Sequence, residues 1–221
     1  MIIAHRGGQP ENTLSAFRKC VLNEVDGIEF DVWKFQNEFV VIHDSELNDC
    51  LLEEMCFPNI PTLKQALDTI KDTSIKYSKK IPKLNVEIKG FDMNLGIWLK
   101  EYIQNNPEYS VSDFVVTSFQ HSEIEIFHQD FPEMEVGWIF SGLPMNFMKL
   151  LENYPYISVV VVSRNAIDLK RIQKEQQLIK LNNTKVWVYG EDKTRQIKEV
   201  KQLFDLGIDA FITDFPFECK K

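Results

Sequence analysis

Charged side chains lie at the ends of several strand-like runs in this sequence. Glu29 and Asp31 are two residues apart in GIEFDV, and Glu87 and Lys89 are two residues apart in LNVEIK. Because alternate residues of a strand point to the same face, each pair projects together. Three carboxylates in one confined space repel one another unless a cation lies between them. Oxygen ligands without cysteine favour a hard ion, so the carboxylates predict one divalent cation, Mg²⁺ or Ca²⁺.

Two histidines and an arginine lie near these carboxylates in the predicted fold. His5 and Arg6 end the run IIAHR, and His43 follows an apolar run in VVIHD. Arginine suits bidentate contact with a phosphate, and a lysine such as Lys89 acts as a point charge. With a divalent cation bound, the site has room for one more negative charge, which a phosphodiester carries. Diester hydrolysis needs a proton donor and a base, and the two histidines could supply them.

Eight strand-like runs alternate with helix-like segments along the chain. The runs are IIAHR, GIEFDV, LNVEIK, FVVTSF, EVGWIF, ISVVVVS, KVWVYG and AFITD. This alternation predicts an α/β fold with a parallel sheet, and in 221 residues it favours a (β/α)8 TIM barrel over a doubly wound open sheet. KFQNEFVVIHD predicts a short hairpin after the second strand, and FPFECKK leaves room for little or no final helix. The carboxyl ends of the strands form the mouth of such a barrel, so the charged residues should meet there.

The helix-like segments show amphipathic spacing and recognisable caps. The first is predicted over Thr13 to Glu24, with Asn12 or Thr13 as its N-cap. The last, over residues 195–207, carries its apolar residues on one side and ends at a glycine. His121 and His128 fall in another helix-like segment, where we expect them to pack or to lie on the surface.

Composition limits the class of protein. The chain has 44% hydrophobic residues and no linker-like stretch, which predicts a single domain over residues 1–221. A net charge of −8 without a basic cluster argues against nucleic acid as a partner. No apolar run approaches the roughly 20 residues of a membrane span. The four cysteines show no CxxC spacing, and the start shows no signal-peptide pattern, so a cytoplasmic protein with reduced thiols is predicted. The oligomeric state stays open.

These motifs together resemble a known family. AHRGGQPENT, GIEFDV, VVIHD, IPTLKQAL, LNVEIK and GIDAFITDFP are similar, in order and spacing, to the glycerophosphodiester phosphodiesterase family of the phosphatidylinositol-phospholipase-C-like superfamily. The resemblance implies metal-dependent hydrolysis of glycerophosphodiesters, a small-molecule substrate, to sn-glycerol 3-phosphate and an alcohol. Carried onto matching positions, it implies metal ligands Glu29, Asp31 and Glu87, an acid–base pair His5 and His43, phosphate contacts Arg6 and Lys89, and Trp187 near the glycerol end of the substrate.

The sequence departs from the family's pattern between His43 and Pro61, where the insertion is shorter than usual. A shorter insertion leaves hydrolysis of acyl-bearing diesters, a lysophospholipase D activity, as an alternative. Exposed Phe215, Phe217 or Trp138 at the mouth would support it. A phosphate-binding module without catalysis is a third hypothesis, although binding alone needs no histidine pair. Which histidine is the acid, and whether water or the glycerol 2-hydroxyl attacks, is left open.

Overall fold

Strands and helices alternate along the chain, as the sequence predicts. The computed structural model describes residues 1–43, 60–91, 94–142, 147–166, 184–190 and 193–219. The strands are β1 Ile2–Ala4, β2 Gly27–Phe35, β3 Glu38–Val41, β4 Lys83–Ile88, β5 Phe114–Ser118, β6 Glu135–Phe140, β7 Ile157–Ser163, β8 Lys185–Tyr189 and β9 Ala210–Thr213. The helices are α1 Leu14–Leu22, α2 Leu63–Lys76, α3 Leu95–Gln104, α4 His121–Asp130, α5 Phe147–Asn153, α6 Lys193–Asp205 and α7 Pro216–Cys219.

Eight of these strands form a closed parallel barrel. Starting from β1, the order is β1, β2, β4, β5, β6, β7, β8 and β9, and β9 pairs with β1 to close the ring. β3 runs antiparallel to the second half of β2, in the predicted hairpin that turns at Gln36 and Asn37. The final helix, α7, has four residues. The predicted TIM barrel, with its hairpin after the second strand, is therefore confirmed.

The barrel strands are buried on both faces, because helices cover the outside and side chains fill the inside. Valine-rich runs such as ISVVVVS in β7 suit this position, since branched side chains pack well on both faces of a parallel strand. The interior cluster consists of Ile3, Val115, Ile139, Val159, Val161, Trp187, Ala210 and Ile212. Below it, Lys83 and Lys185 form ion pairs with Glu135. The interior is therefore packed below the mouth.

Helix ends follow local side-chain chemistry. Thr13 caps α1 by accepting a hydrogen bond from the Ala16 N–H, which is one of the two caps that the sequence predicts. At the start of α2, Thr62 and Gln65 form a reciprocal capping box. The helix predicted over residues 168–182 lies outside the described residues.

The two histidines of α4 have packing roles, as expected. His121 stacks on Trp138, and its Nε2 lies 3.1 Å from the carbonyl oxygen of Ile139. His128 stacks on Tyr156, with the ring centroids 4.3 Å apart.

None of the helices within the described ranges is both long and apolar enough to cross a membrane.

Candidate active site

Three buried carboxylates meet at the mouth of the barrel. Glu29 and Asp31 project from β2 and Glu87 from β4, and Asp31 lies opposite Glu87 in the strand register. One oxygen from each of the three residues lies within 4.8 Å of the others, and all three side chains are buried. Among the described residues, Oε1 of Glu29 has no hydrogen-bond partner. The structure thus brings together the three residues that the sequence predicts as metal ligands.

Burial makes this cluster electrostatically unfavourable when all three groups are charged. Loss of water, together with the charge of Asp31, raises the pKa of Glu29 to about 8. Burial also raises the pKa of Glu87, even though Lys89 acts in the opposite direction. A divalent cation would remove the repulsion, and an all-oxygen donor set fits Mg²⁺ or Ca²⁺ better than Zn²⁺. The residues present therefore fit the predicted cofactor.

Arg6 and Lys89 lie against these carboxylates. Nη1 of Arg6 donates to Glu11 at 2.7 Å, and its Nε lies 3.2 Å from Oδ2 of Asp31. Lys89 contacts Glu87, and its Nζ lies 3.0 Å from Oδ1 of Asp31. Both cations line the cavity at the mouth, where they can reach a bound anion.

The turn after β1 carries both His5 and Arg6 to the cluster. Arg6 has a φ of 50°, and Gly7 follows with a φ of 72°. Such left-handed backbone is easily adopted by glycine and strained for arginine. In this conformation the Arg6 N–H donates to Oε2 of Glu29 at 2.8 Å. The loop is thereby fixed to one of the predicted metal ligands.

The two candidate acid–base groups occupy different environments. Nδ1 of His5 lies 2.5 Å from Oδ1 of Asp214, and Nε2 lies 3.9 Å from Oε2 of Glu29. Burial alone would lower the pKa of His5, but the bond to Asp214 and the charge of Glu29 raise it. His43, which follows β3, is exposed. Partial loss of water, with the charges of Arg6 and Lys89, lowers the pKa of His43.

These groups surround a cavity of about 380 Å³ that opens at the mouth. One wall is polar and the other is mainly apolar. The polar wall consists of His5, Arg6, Glu29, His43, Asn85, Glu87, Lys89 and Asp214, and the other wall of Phe119, Ile139, Val161, Tyr189, Gly190 and Ile212. Six of the eight predicted site residues line this cavity, and Asp31 lies in the carboxylate cluster behind it. A cavity of this size and lining suits a small organic molecule with one charged end.

Trp187 is the predicted residue that the structure places elsewhere. It is fully buried in the interior cluster and does not line the cavity. Tyr189, two residues further along β8 on the same face, lines the cavity instead and packs edge-on against Phe119 at 6.4 Å. Contact between Trp187 and the substrate therefore stays a prediction, and the aromatic groups on the wall are Tyr189 and Phe119.

Two further residues, Asn12 and Asp214, complete the site, and the sequence alone assigned them no catalytic role. Nδ2 of Asn12 donates to Oδ2 of Asp31 at 2.9 Å, so Asn12 orients a metal ligand rather than capping α1. Asp214 holds His5. The contact between Asp214 and His5 follows from the order of the strands. β9 closes the barrel against β1 and pairs Thr213 with Ala4. The residues that follow each strand are then His5 and Asp214.

Comparisons with known proteins agree with this geometry. The sequence model of the glycerophosphoryl diester phosphodiesterase family matches residues 51–218. A glycerophosphodiester phosphodiesterase of Bacillus altitudinis is 27% identical over 257 residues, which cover 100% of this chain and 96% of the relative. Another, of Caldanaerobacter subterraneus subsp. tengcongensis, is 26% identical over 246 residues, covering 98% and 94%.

Solved structures show the same fold. An Oleispira antarctica phosphodiesterase in complex with the product sn-glycerol-3-phosphate superposes with a TM-score of 0.79 at 20% identity. The match covers 100% of this chain and 95% of that chain.

Proposed function

Because the chain belongs to the glycerophosphoryl diester phosphodiesterase family, we propose that it hydrolyses glycerophosphodiesters to sn-glycerol 3-phosphate and an alcohol. The observation that carries the proposal is the cavity wall on which buried carboxylates, two cations and two histidines meet. The product bound to the Oleispira antarctica phosphodiesterase supports the choice of substrate. Binding alone would need no second histidine, so this wall favours an enzyme over a phosphate-binding module.

Arg6 and Lys89 bind the phosphate in this proposal. Both line the cavity, and both are cations at the edge of the carboxylate cluster. The guanidinium of Arg6 can donate two parallel hydrogen bonds to phosphoryl oxygens. A divalent cation bound by Glu29, Asp31 and Glu87 would supply Lewis-acid stabilisation of the charge on those oxygens. The phosphate is thereby oriented between the two histidines.

His5 and His43 exchange the protons of the reaction. The hydrogen bond to Asp214 holds a proton on Nδ1 of His5, so its Nε2 is the atom that gives or takes a proton. His43 lines the same cavity from the end of β3. One histidine removes the proton of the nucleophile, and the other protonates the departing alkoxide. A transient cyclic phosphate, visible by ³¹P NMR, would identify the glycerol 2-hydroxyl as nucleophile, and its absence under single-turnover conditions would identify water.

Hydrolysis of acyl-bearing phosphodiesters is a second candidate. The apolar wall and the 42% exposed Phe119 favour it, since an acyl chain needs an apolar path from the mouth. The three residues that the sequence suggested for this role do not support it. Trp138 is buried, and Phe215 and Phe217 are half-buried. Comparison of glycerophosphocholine with lysophosphatidylcholine as substrates decides between the two.

The test of the proposed function is release of sn-glycerol 3-phosphate from glycerophosphocholine, with Mg²⁺ or Ca²⁺ and then with EDTA. We expect turnover that the chelator abolishes. The H43A variant should lose about 10²- to 10⁴-fold in kcat, which is the usual contribution of a general acid or base. H128A is the matched control, because His128 stacks on Tyr156 and does not line the cavity. A folded protein that turns over no phosphodiester, or an H43A variant with full activity, would contradict the proposal.

A further inference from the structure

A buried amide lies on the polar wall, level with Glu29 and below Glu87. Asn85 precedes Glu87 by two residues on β4, so its side chain points to the same inward face. It lies opposite Glu29 in the strand register and lines the cavity, although it is only 1% exposed. At a rise of about 3.3 Å per residue, Asn85 is roughly 7 Å deeper than Glu87.

The hydrogen bonds of Asn85 are only half satisfied. Oγ1 of Thr117 on β5 donates to Oδ1 of Asn85 at 2.9 Å, and Thr117 itself is fully buried. Nδ2 of Asn85 is also buried, but within the described part of the chain it has no hydrogen-bond partner. A buried donor without an acceptor is unfavourable, and native proteins nearly always supply one. The fixed carbonyl end and the unpaired NH₂ group together make a donor that a ligand can complete.

We propose that Nδ2 of Asn85 donates a hydrogen bond to a hydroxyl oxygen of the substrate's glycerol group, and that Thr117 holds the amide in the orientation this requires. The inference rests on the proposed function, since it assigns one end of the same substrate. The phosphate lies higher in the cavity, because Lys89 contacts Glu87 and Asp31, which are paired two residues nearer the mouth than Asn85 and Glu29. The part of the substrate that reaches Asn85 is therefore one of the two ester groups next to the phosphate, and a hydrogen-bond donor at this depth suits the group that carries hydroxyl oxygens.

The hydrogen bond from Asn85 would distinguish ester groups that carry a hydroxyl from ester groups that carry none. A site built to bind a hydroxyl leaves a buried polar group unpaired when the hydroxyl is missing, and it therefore rejects the deoxy analogue. Ile139, Val161 and Ile212, which also line the cavity, are apolar and cannot replace that hydrogen bond. The protein should accordingly prefer glycerol esters over simple alkyl esters of the same length.

The experiment compares two substrates, glycerophosphocholine and n-propyl phosphocholine, which lacks both glycerol hydroxyls. The variants are N85L, which keeps the number and branching of the side-chain heavy atoms but removes the amide, and T117V, which removes the hydroxyl that orients it. T117S keeps that hydroxyl and is the matched control. In N85L we expect kcat/KM for glycerophosphocholine to fall about 10- to 100-fold and that for n-propyl phosphocholine to change less than about threefold. T117V should show a smaller loss of the same selectivity, and T117S should resemble the unaltered protein.

Equal losses on both substrates, or unchanged selectivity in N85L and T117V, would overturn the proposal, since a merely structural role would not separate the substrates. Thermal unfolding checks that each variant folds. If the unaltered protein hydrolyses neither substrate, the proposed function fails. If it hydrolyses glycerophosphocholine alone, as attack by the glycerol 2-hydroxyl would require, the proposed function stands. In both cases the role of Asn85 is decided by calorimetric binding of sn-glycerol 3-phosphate and n-propyl phosphate in Mg²⁺. Tighter binding of sn-glycerol 3-phosphate that N85L abolishes would still support the inference, and equal binding of the two ligands would refute it.

Discussion

Removal of one buried charge tests the electrostatics of the carboxylate cluster. Glu29 is 1% exposed, and burial with the neighbouring Asp31 raises its pKa from the usual 4.5 to about 8. Between these pH values the folded metal-free protein keeps a proton on Glu29 that the unfolded chain releases. The free energy of unfolding therefore falls as the pH rises through that range. At about 1.4 kcal/mol for each pH unit, the loss amounts to as much as about 5 kcal/mol by pH 8.

The E29Q variant removes this charge and keeps an oxygen that can accept the hydrogen bond from the Arg6 N–H. In EDTA, we expect E29Q and the unaltered protein to be similarly stable near pH 5. At pH 8 the variant should be the more stable by several kcal/mol, because it holds no buried charge. Urea unfolding monitored by circular dichroism at pH 5, 6, 7 and 8 measures the difference directly.

A divalent cation should reduce this difference in stability between E29Q and the unaltered protein. With Mg²⁺ or Ca²⁺ at 100 times its dissociation constant, the unaltered protein gains about 2.7 kcal/mol, and E29Q, which lacks one ligand, gains less. The gain should increase with pH, because binding displaces the proton of Glu29. E135Q is the control. Glu135 pairs with Lys83 and Lys185 at the other end of the barrel, and these contacts lower its pKa. E135Q should therefore lose stability at every pH from 6 to 8, with or without metal.

A metal-free protein whose stability rises between pH 5 and 8 relative to E29Q would refute a raised pKa of Glu29. The role of Glu29 as a metal ligand would be refuted by an E29Q variant that gains as much from the cation as the unaltered protein does.

Three further changes probe the surrounding structure. D214N removes the carboxylate charge that keeps His5 in its Nδ1–H tautomer, so we expect kcat to fall at least 10²-fold with little change in the melting temperature, and unchanged kcat would show that this pair has no catalytic part. T62A removes an N-cap and should cost about 1 kcal/mol, or about 2–4 °C in melting temperature, while kcat stays the same. G7A places a methyl group on a residue with a φ of 72°, 2.8 Å from the ring of Phe17, so both the stability and kcat should decrease. A G7A variant as stable as the unaltered protein in urea unfolding would contradict this strain.

Strand position alone was enough to predict most of the active-site wall. Glu29, Asp31 and Glu87 occupy inward positions near the carboxyl ends of β2 and β4, and any closed barrel brings those ends together. Local periodicity determines which face a residue points to, and the order of strands determines which ends meet. The family resemblance added roles to these positions, including those of His5 and His43.

The depth of a side chain in the barrel and the identity of its hydrogen-bond partner could not be predicted in the same way. Trp187 and Tyr189 both point inward from β8, and only the register with β7 and β9 decides which of them reaches the cavity. Asn12 satisfies the local rule for an N-cap, yet Thr13 caps the helix and Asn12 reaches Asp31 on another strand. Both outcomes depend on contacts between residues far apart in the sequence, which local patterns do not contain.

The charges at the mouth explain why metal and diester belong together at this site. Glu29, Asp31 and Glu87 face Arg6 and Lys89, so five ionised groups would leave one uncompensated negative charge in a buried place. In the metal-free protein, the raised pKa of Glu29 removes that charge by keeping a proton. A divalent cation replaces the proton and leaves one excess positive charge, which a singly charged diester neutralises. Because each ligand compensates the charge that the other leaves, binding of either should increase the affinity for the other by the same factor.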